Sequence, residues 1–117
     1  MMKTIEKINL SETTKQINVN HTNFVLDNAN DHCVRIAVFK GEYQWHHHPD
    51  SDEIFMVIEG QLLIDLENDV TLEVNPNEIV KIPAGVLHRT RSNVRTVNLC
   101  FEREEAETVF LEKESDR

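Results

Sequence analysis

The sequence predicts an all-β protein whose short antiparallel strands close into a barrel. Three observations support this prediction: the apolar runs are short, turn residues separate them at close intervals, and no gap between them has the length of a helix. All three glycines and all three prolines lie between residues 41 and 85. Short strands divided in this way are typical of antiparallel barrels and sandwiches.

The first half of the chain predicts an arm followed by two strands. Residues 1–22 form the arm, and its first dozen residues are ambiguous between strand and helix. Residues 23–26 predict a short strand that a polar turn at 27–31 ends. Val34, Ile36 and Val38 then alternate with their neighbours, which predicts a half-buried strand.

The strands that follow are separated by turn residues. Residues 54–59 form a nearly continuous apolar run, which predicts a strand covered on both faces. Turns are predicted at 68–69 and 75–77, where Asn, Asp and Pro gather. The remaining strands are predicted at 61–66, 70–74, 79–82, 88–91 and 95–101.

The C-terminal segment predicts a different structure. Ala106, Val109, Phe110 and Lys113 recur at helical spacing among glutamates. This pattern predicts a short amphipathic helix over about 102–113.

Length and composition restrict the class of protein. A chain of 117 residues predicts a single domain over 1–117, with a composition typical of globular proteins. The net charge of −9 argues against nucleic acid and anionic membrane as partners. A polar N-terminus and the lack of a long apolar run predict a cytoplasmic location. Cys33 and Cys100 are expected to be free, buried thiols.

Two motifs carry residues with the spacing of metal ligands. His46 and His48 are two positions apart, so an extended strand points both to the same side. Glu53 begins the next apolar run, and His88 follows a Pro/Gly turn at 83–85. Three imidazoles and one carboxylate can bind one divalent transition metal. We therefore predict a site for Fe, Mn, Ni, Cu or Zn, and the residues do not choose among these ions.

These motifs resemble those of the cupin superfamily. The first cupin motif is matched by His46-x-His48, followed by Glu53 after four intervening residues and by Gly60 after six more. The second motif is matched by Pro83-x-Gly85-x-x-His88. The motif core covers 41–92. The resemblance implies a small double-stranded β-barrel, or jelly roll, that holds one metal ion and is often a homodimer.

Three positions depart from the cupin pattern. Gly41 stands one residue closer to His46 than in the motif, which predicts a shortened or bulged strand entry. Asn77 replaces a glycine, and Asn is able to adopt the left-handed backbone that the turn requires. Ser92 replaces the final asparagine.

Alternation along the strands predicts the pocket around the metal. It places Gln44 on the face of His46 and His48, and it places Tyr43, Trp45 and His47 on the other face. If the histidines face the barrel interior, alternation places Phe55 and Val57 inward with Glu53, and Thr90 inward with His88. The predicted pocket residues are Gln44, Phe55, Val57 and Thr90.

Four side chains outside the pocket have more general roles. Arg89 and Arg91 are expected on the outer face, paired with carboxylates. Trp45 is expected to contact a second subunit. Two alternatives are left open for Arg35: it lies on the surface, or it points into the cavity and binds an anion there.

The resemblance does not select one reaction, because cupins include enzymes and binding proteins. The leading hypothesis is a metal-dependent enzyme with dioxygenase-like chemistry on a small, oxygen-rich organic molecule. The alternatives are a sugar or sugar-phosphate isomerase or epimerase, and a non-enzymatic cupin that binds a small molecule with the help of the metal.

Overall fold

The computed structural model describes residues 3–18 and 21–111. Within these residues there is one short helix, α1, which begins after Asn9, whose side chain accepts a hydrogen bond from the Glu12 amide at 2.9 Å. No helix in the described part of the chain has the length and apolar character to cross a membrane. The elements are α1 (Leu10–Thr14), β1 (His21–Ala29), β2 (His32–Glu42), β3 (His46–His47), β4 (Glu53–Glu59), β5 (Leu62–Leu66), β6 (Val70–Val74), β7 (Ile79–Ile82), β8 (His88–Arg103) and β9 (Val109–Phe110).

The strands form one curled antiparallel sheet built on the 16-residue strand β8. One edge of β8 pairs with β2 and then β3, and its other edge pairs with β4 and then β5. The strands β1, β9, β7 and β6 extend these pairs outward. This confirms the predicted all-β antiparallel barrel.

The apolar side chains pack into two clusters on opposite faces of β2. The inner cluster fills the barrel and contains Ala37, Phe39, Phe55, Val57, Leu62, Ile64, Val74, Ile82 and Cys100. In the outer cluster Ile36, Val38 and Val97 pack against Leu10, Ile17, Phe24, Leu26, Ile58 and Leu99. The prediction of a half-buried strand at 34–39 was therefore wrong, because the N-terminal arm covers the face that would otherwise meet water.

The helix predicted over about 102–113 does not form in residues 102–111. The strand β8 continues to Arg103, a turn follows, and β9 then pairs with β3 through His46 and Phe110. The Leu111 amide adds a hydrogen bond of 2.9 Å to the Trp45 carbonyl. Pairing with the open backbone groups of β3 outweighs the local helical pattern. Residues 112 and 113 lie outside the described residues.

The glycine and asparagine positions behave as their motifs predict. Asn77 has a φ of 71°, and the register of β2 shifts between Phe39 and Gly41, as a bulge requires. Position 60 accepts only glycine without a clash, because a Cβ there would lie 2.5 Å from the Arg95 carbonyl oxygen. These residues set the turns and the bulge around the strands that carry the histidines.

An ionic cluster on the outer face joins β5 to β8. Asp65 is buried and accepts hydrogen bonds from Arg91 Nε at 2.7 Å and Arg89 Nη2 at 2.9 Å. These hydrogen bonds, led by those from Arg91, lower the pKa of Asp65. Arg89 also lies over the Trp45 ring, 5.3 Å from its centroid. The two arginines are paired with a carboxylate as predicted, while a subunit contact at Trp45 stays a prediction.

We predict that Asp65→Asn lowers the free energy of unfolding by about 2 kcal/mol, because two guanidinium groups lose their charged acceptor. The measurement is urea denaturation at pH 7. Glu73→Gln is the matched control, since it removes an exposed carboxylate from the neighbouring strand β6.

The same pair of proteins tests the pH dependence. A lowered native pKa means that the Asp65 contribution is complete above its ordinary value of 3.8 and is lost as the pH falls below it. The difference in unfolding free energy between wild type and Asp65→Asn should therefore shrink between about pH 4 and pH 2. A difference that stays constant over this range would contradict the assignment.

Candidate metal centre

Three strands bring the four predicted ligands together. His46 begins β3 and lies opposite His88, the first residue of β8, while Glu53 begins β4. His48 follows β3 directly. All four side chains are buried, and one nitrogen or carboxylate oxygen from each lies within 4.8 Å of the others. The structure thus assembles a cluster that could hold one metal ion.

The backbone fixes the orientation of each imidazole. The Nδ1 atoms of His46, His48 and His88 contact the carbonyl oxygens of Gln44 at 2.8 Å, Glu107 at 2.9 Å and Val86 at 2.9 Å. A carbonyl oxygen can only accept, so each Nδ1 carries the proton and donates it. In a neutral imidazole this leaves the Nε2 lone pair free to bind a metal. In metal sites, a hydrogen bond from the other ring nitrogen commonly fixes the ligand in this way.

Two histidine nitrogens face one oxygen of Glu53. His88 Nε2 lies 3.1 Å from Glu53 Oε1, and His48 Nε2 lies 3.5 Å from the same oxygen. His48 Nε2 is buried and makes no hydrogen bond within the described ranges. A buried polar atom without a partner is costly, and a metal ion between these groups would satisfy it. The donor set therefore fits a divalent transition metal.

The charges in the cluster also favour a cation. Contact with Glu53 raises the pKa of His48 to about 9. Burial alone would raise the pKa of Glu53, but its contacts with His48 and His88 outweigh burial and lower it. Burial lowers the pKa of His46, which keeps this imidazole neutral. The site thus holds an ionised carboxylate beside an imidazole that readily takes up a proton.

Cys100 orients the Glu53 carboxylate. Its thiol donates to Glu53 Oε2 at 3.1 Å, which leaves Oε1 facing the imidazoles. Burial raises the pKa of Cys100 well above its ordinary value, so the thiol stays neutral. Cys33 and Cys100 are both free and buried, as predicted. Cys100 therefore orients a candidate ligand, and with Glu53 and Glu102 it also forms a second group that could hold a metal ion.

A cavity of about 330 Å³ borders the cluster. Two of the expected pocket residues, Phe55 and Thr90, line it. Val57 points inward too, but it is fully buried in the inner core and does not line the cavity. Gln44 is exposed, and Tyr43 lines the cavity in its place. Residues 43–45 are not part of a strand, so the alternation assumed for Gln44 fails there.

Several cavity residues were not assigned from the sequence. Alternation along the second half of β8 could have identified Asn98, Cys100 and Glu102, because they share its inner face. Arg35 lines the cavity, which is the second of the two positions left open for it.

His47 lies between buried neighbours and is only partly exposed.

The C-terminal segment completes the site. Residues 104–108 supply Glu104, Ala106 and Thr108 to the cavity wall. The Glu107 carbonyl accepts the hydrogen bond from His48 Nδ1, and the Glu107 amide donates to Asp50 Oδ1 at 2.9 Å. No local pattern in the sequence identifies this contact, because 59 positions separate His48 from Glu107.

We predict that Cys100→Ala weakens metal binding by about tenfold, since loss of the thiol leaves the Glu53 carboxylate free to rotate. The measurement is competition with a chelator of known affinity, using Co²⁺ so that its visible spectrum reports changes in coordination.

Two further variants define the comparison. Cys33→Ala removes a second buried thiol from the adjacent strand and should leave affinity unchanged. Cys100→Ser restores a donor and should recover most of the affinity. Equal affinities in Cys100→Ala and wild type would show that Cys100 serves only to fill the core.

Comparison with known proteins places this site in a family. The family model described as the cupin domain matches residues 34–100. The uncharacterized protein YdbB of Bacillus subtilis (strain 168) is 54% identical over 106 residues, which cover 91% of this chain and 94% of that protein.

Solved structures agree. A cupin-2 domain containing protein from Shewanella frigidimarina superposes with a TM-score of 0.78 at 28% identity, over 83% of this chain and 94% of that one. The DMSP lyase DddQ from Ruegeria pomeroyi superposes with a TM-score of 0.67 at 22% identity, over 78% of this chain and 51% of that one, and at this identity shares only the fold. Because the family model covers more than half of the sequence, the chain belongs to the cupin domain family.

Proposed function

We propose that this protein is a metal-dependent enzyme that acts on a small, oxygen-rich organic molecule, with dioxygenase-like chemistry as the leading reaction. One observation carries the proposal: three Nδ1–H groups are held by backbone carbonyls, so three Nε2 atoms and Glu53 face one point beside a cavity. A purely structural metal site would be closed to small molecules, whereas this one borders a space of about 330 Å³.

The ligand set would hold the ion and leave room for reactants. A divalent transition metal there would supply Lewis acidity and, if it is redox active, electron transfer to O₂. His46, His48, Glu53 and His88 would hold the ion, and the adjoining cavity would admit a small substrate beside it.

The cavity wall would bind and orient the substrate. Phe39, Tyr43 and Phe55 give it aromatic surface that displaces water. Thr90 and Asn98 add neutral hydrogen-bonding groups. A wall that combines aromatic surface with many polar and charged side chains favours a small organic molecule with several oxygens over a fully apolar one.

Isomerisation or epimerisation of a sugar-like substrate is the second candidate, and one observation favours it. The Glu102 carboxyl lines the cavity near the cluster, where it could accept and return a proton on a carbon next to a carbonyl. Such a reaction consumes no O₂, which separates it from the leading candidate.

The first experiment measures metal content in anaerobically purified, tag-free protein. We expect close to one transition-metal ion per chain in wild type, and loss of most of it in His46→Ala and Glu53→Ala, because each change removes a ligand. His47→Ala is the matched control, since it lies between two candidate ligands while its own side chain is not in the cluster. Equally low metal in all four proteins would overturn the proposed site.

The second experiment distinguishes the reactions. Protein loaded with Fe, Mn, Ni or Cu is incubated with phenolic, oxo-acid and sugar substrates while O₂ uptake and product formation are recorded. Substrate-dependent O₂ uptake supports the dioxygenase, and product without O₂ uptake supports the isomerase. Tight binding without any product would leave a metal-assisted binding protein and refute both enzymes.

A further inference from the structure

We infer that Arg35 is an anion-binding group of the cavity, and that the ligand of this protein carries a carboxylate that Arg35 holds while another oxygen faces the metal centre. The inference rests on the proposed function, because it assigns the substrate class of the same site. It concerns a residue that lies outside the metal-binding motifs.

The Arg35 guanidinium has hydrogen-bonding capacity that its neighbours do not use. Its Nη1 donates to Asn23 Oδ1 at 3.0 Å, which holds one side of the group. Its Nε lies 3.6 Å from Glu102 Oε1, too far for a good hydrogen bond. Its Nη2 makes no hydrogen bond to any residue that the structure describes. About a third of the side chain is exposed, and it lines the cavity.

The outer face of the barrel shows what a structural arginine looks like in this protein. There Arg91 donates through Nε and Nη2 to the two oxygens of Asp65, and Arg89 donates through Nε and Nη2 to one of them. Arg103 also lines the cavity, but its Nη1 contacts the Asp50 carbonyl at 3.4 Å. Arg35 lines the cavity and has a carboxylate only at ion-pair distance, since Glu102 Oε1 lies 3.6 Å from its Nε.

The position of Arg35 suits simultaneous contact with the metal centre. Arg35 lies directly opposite Cys100 in the β2–β8 pair, and the Cys100 thiol contacts Glu53. Arg35 and the candidate ligand Glu53 are therefore on the same wall, with the strand β8 between β2 and β4. A cavity of about 330 Å³ is at the small end for ligand sites, so the molecule between the two groups must be short.

The chemistry of the group selects a carboxylate. A planar guanidinium with an open edge binds a planar oxyanion through two parallel hydrogen bonds, which gives both strength and orientation. Glu102 and Glu104 also line the cavity, so a ligand with several negative charges would be repelled. A short hydroxy or oxo acid with one carboxylate satisfies these conditions.

Glu102 provides a sharp second test, because it lies beside Arg35. If Arg35 serves only to neutralise Glu102, Glu102→Gln should not create affinity for anions. If Arg35 binds the ligand carboxylate, Glu102→Gln removes a competing and repelling charge and should tighten that binding.

The experiment compares acids with their neutral amides on Mn²⁺-loaded protein by calorimetry. The probes are lactate, 3-hydroxypropanoate and 4-hydroxybutanoate with the corresponding hydroxyamides. We expect at least one acid to bind about tenfold more tightly than its amide, and Arg35→Gln to abolish this preference. Lys40→Gln is the matched control, because it removes an exposed positive charge from the same strand and should keep the preference.

Metal content is measured in every sample, because it distinguishes failure of the role of Arg35 from failure of the proposed function. Wild type that holds metal but binds acids and amides equally overturns the role of Arg35 and leaves the metal site intact. The role of Arg35 is also overturned if the preference survives Arg35→Gln, since the metal alone would then explain it. Wild type without metal overturns the proposed function itself. Should Arg35→Gln fail to fold, Glu102→Gln decides: tighter acid binding supports the inference, and unchanged binding refutes it.

Discussion

The buried negative charge of Glu53 is the constraint on which the site depends. A carboxylate inside a small barrel is unfavourable unless cations or hydrogen-bond donors surround it. Here His48 and His88 face one oxygen and the Cys100 thiol donates to the other. A metal ion would fill the place between Glu53 and His48 Nε2, which makes no hydrogen bond to any described residue. The same charge that is costly to bury would therefore drive metal binding.

Long strands make this arrangement possible by joining distant parts of the chain. The strand β8 pairs with β2, β3, β4 and β5, so it contacts every strand that carries a ligand and carries His88 itself. The short strand β9 then closes over β3 and brings the Glu107 carbonyl to His48. The ligands thus depend on pairing across the whole domain, and the C-terminal segment is part of the site.

Local spacing was sufficient to predict the strands and to select four candidate ligands that the fold brings together. Alternation is a property of any extended chain, so His46 and His48 share a face wherever their strand lies. Turn positions such as Asn77 follow from the backbone that each residue type tolerates. The same reasoning failed for Gln44, because residues 43–45 leave the strand and no longer alternate.

The sequence alone determined the all-β barrel, the four candidate ligands, the free thiols and the family resemblance, since each follows from residue type and short-range spacing. The tertiary structure decided what depends on contacts between distant residues. These contacts place the N-terminal arm over β2, pair residues 109–110 with β3 instead of forming a helix, orient Cys100 toward Glu53 and turn Arg35 into the cavity. Strand pairing and burial determine these features, and no local propensity encodes them.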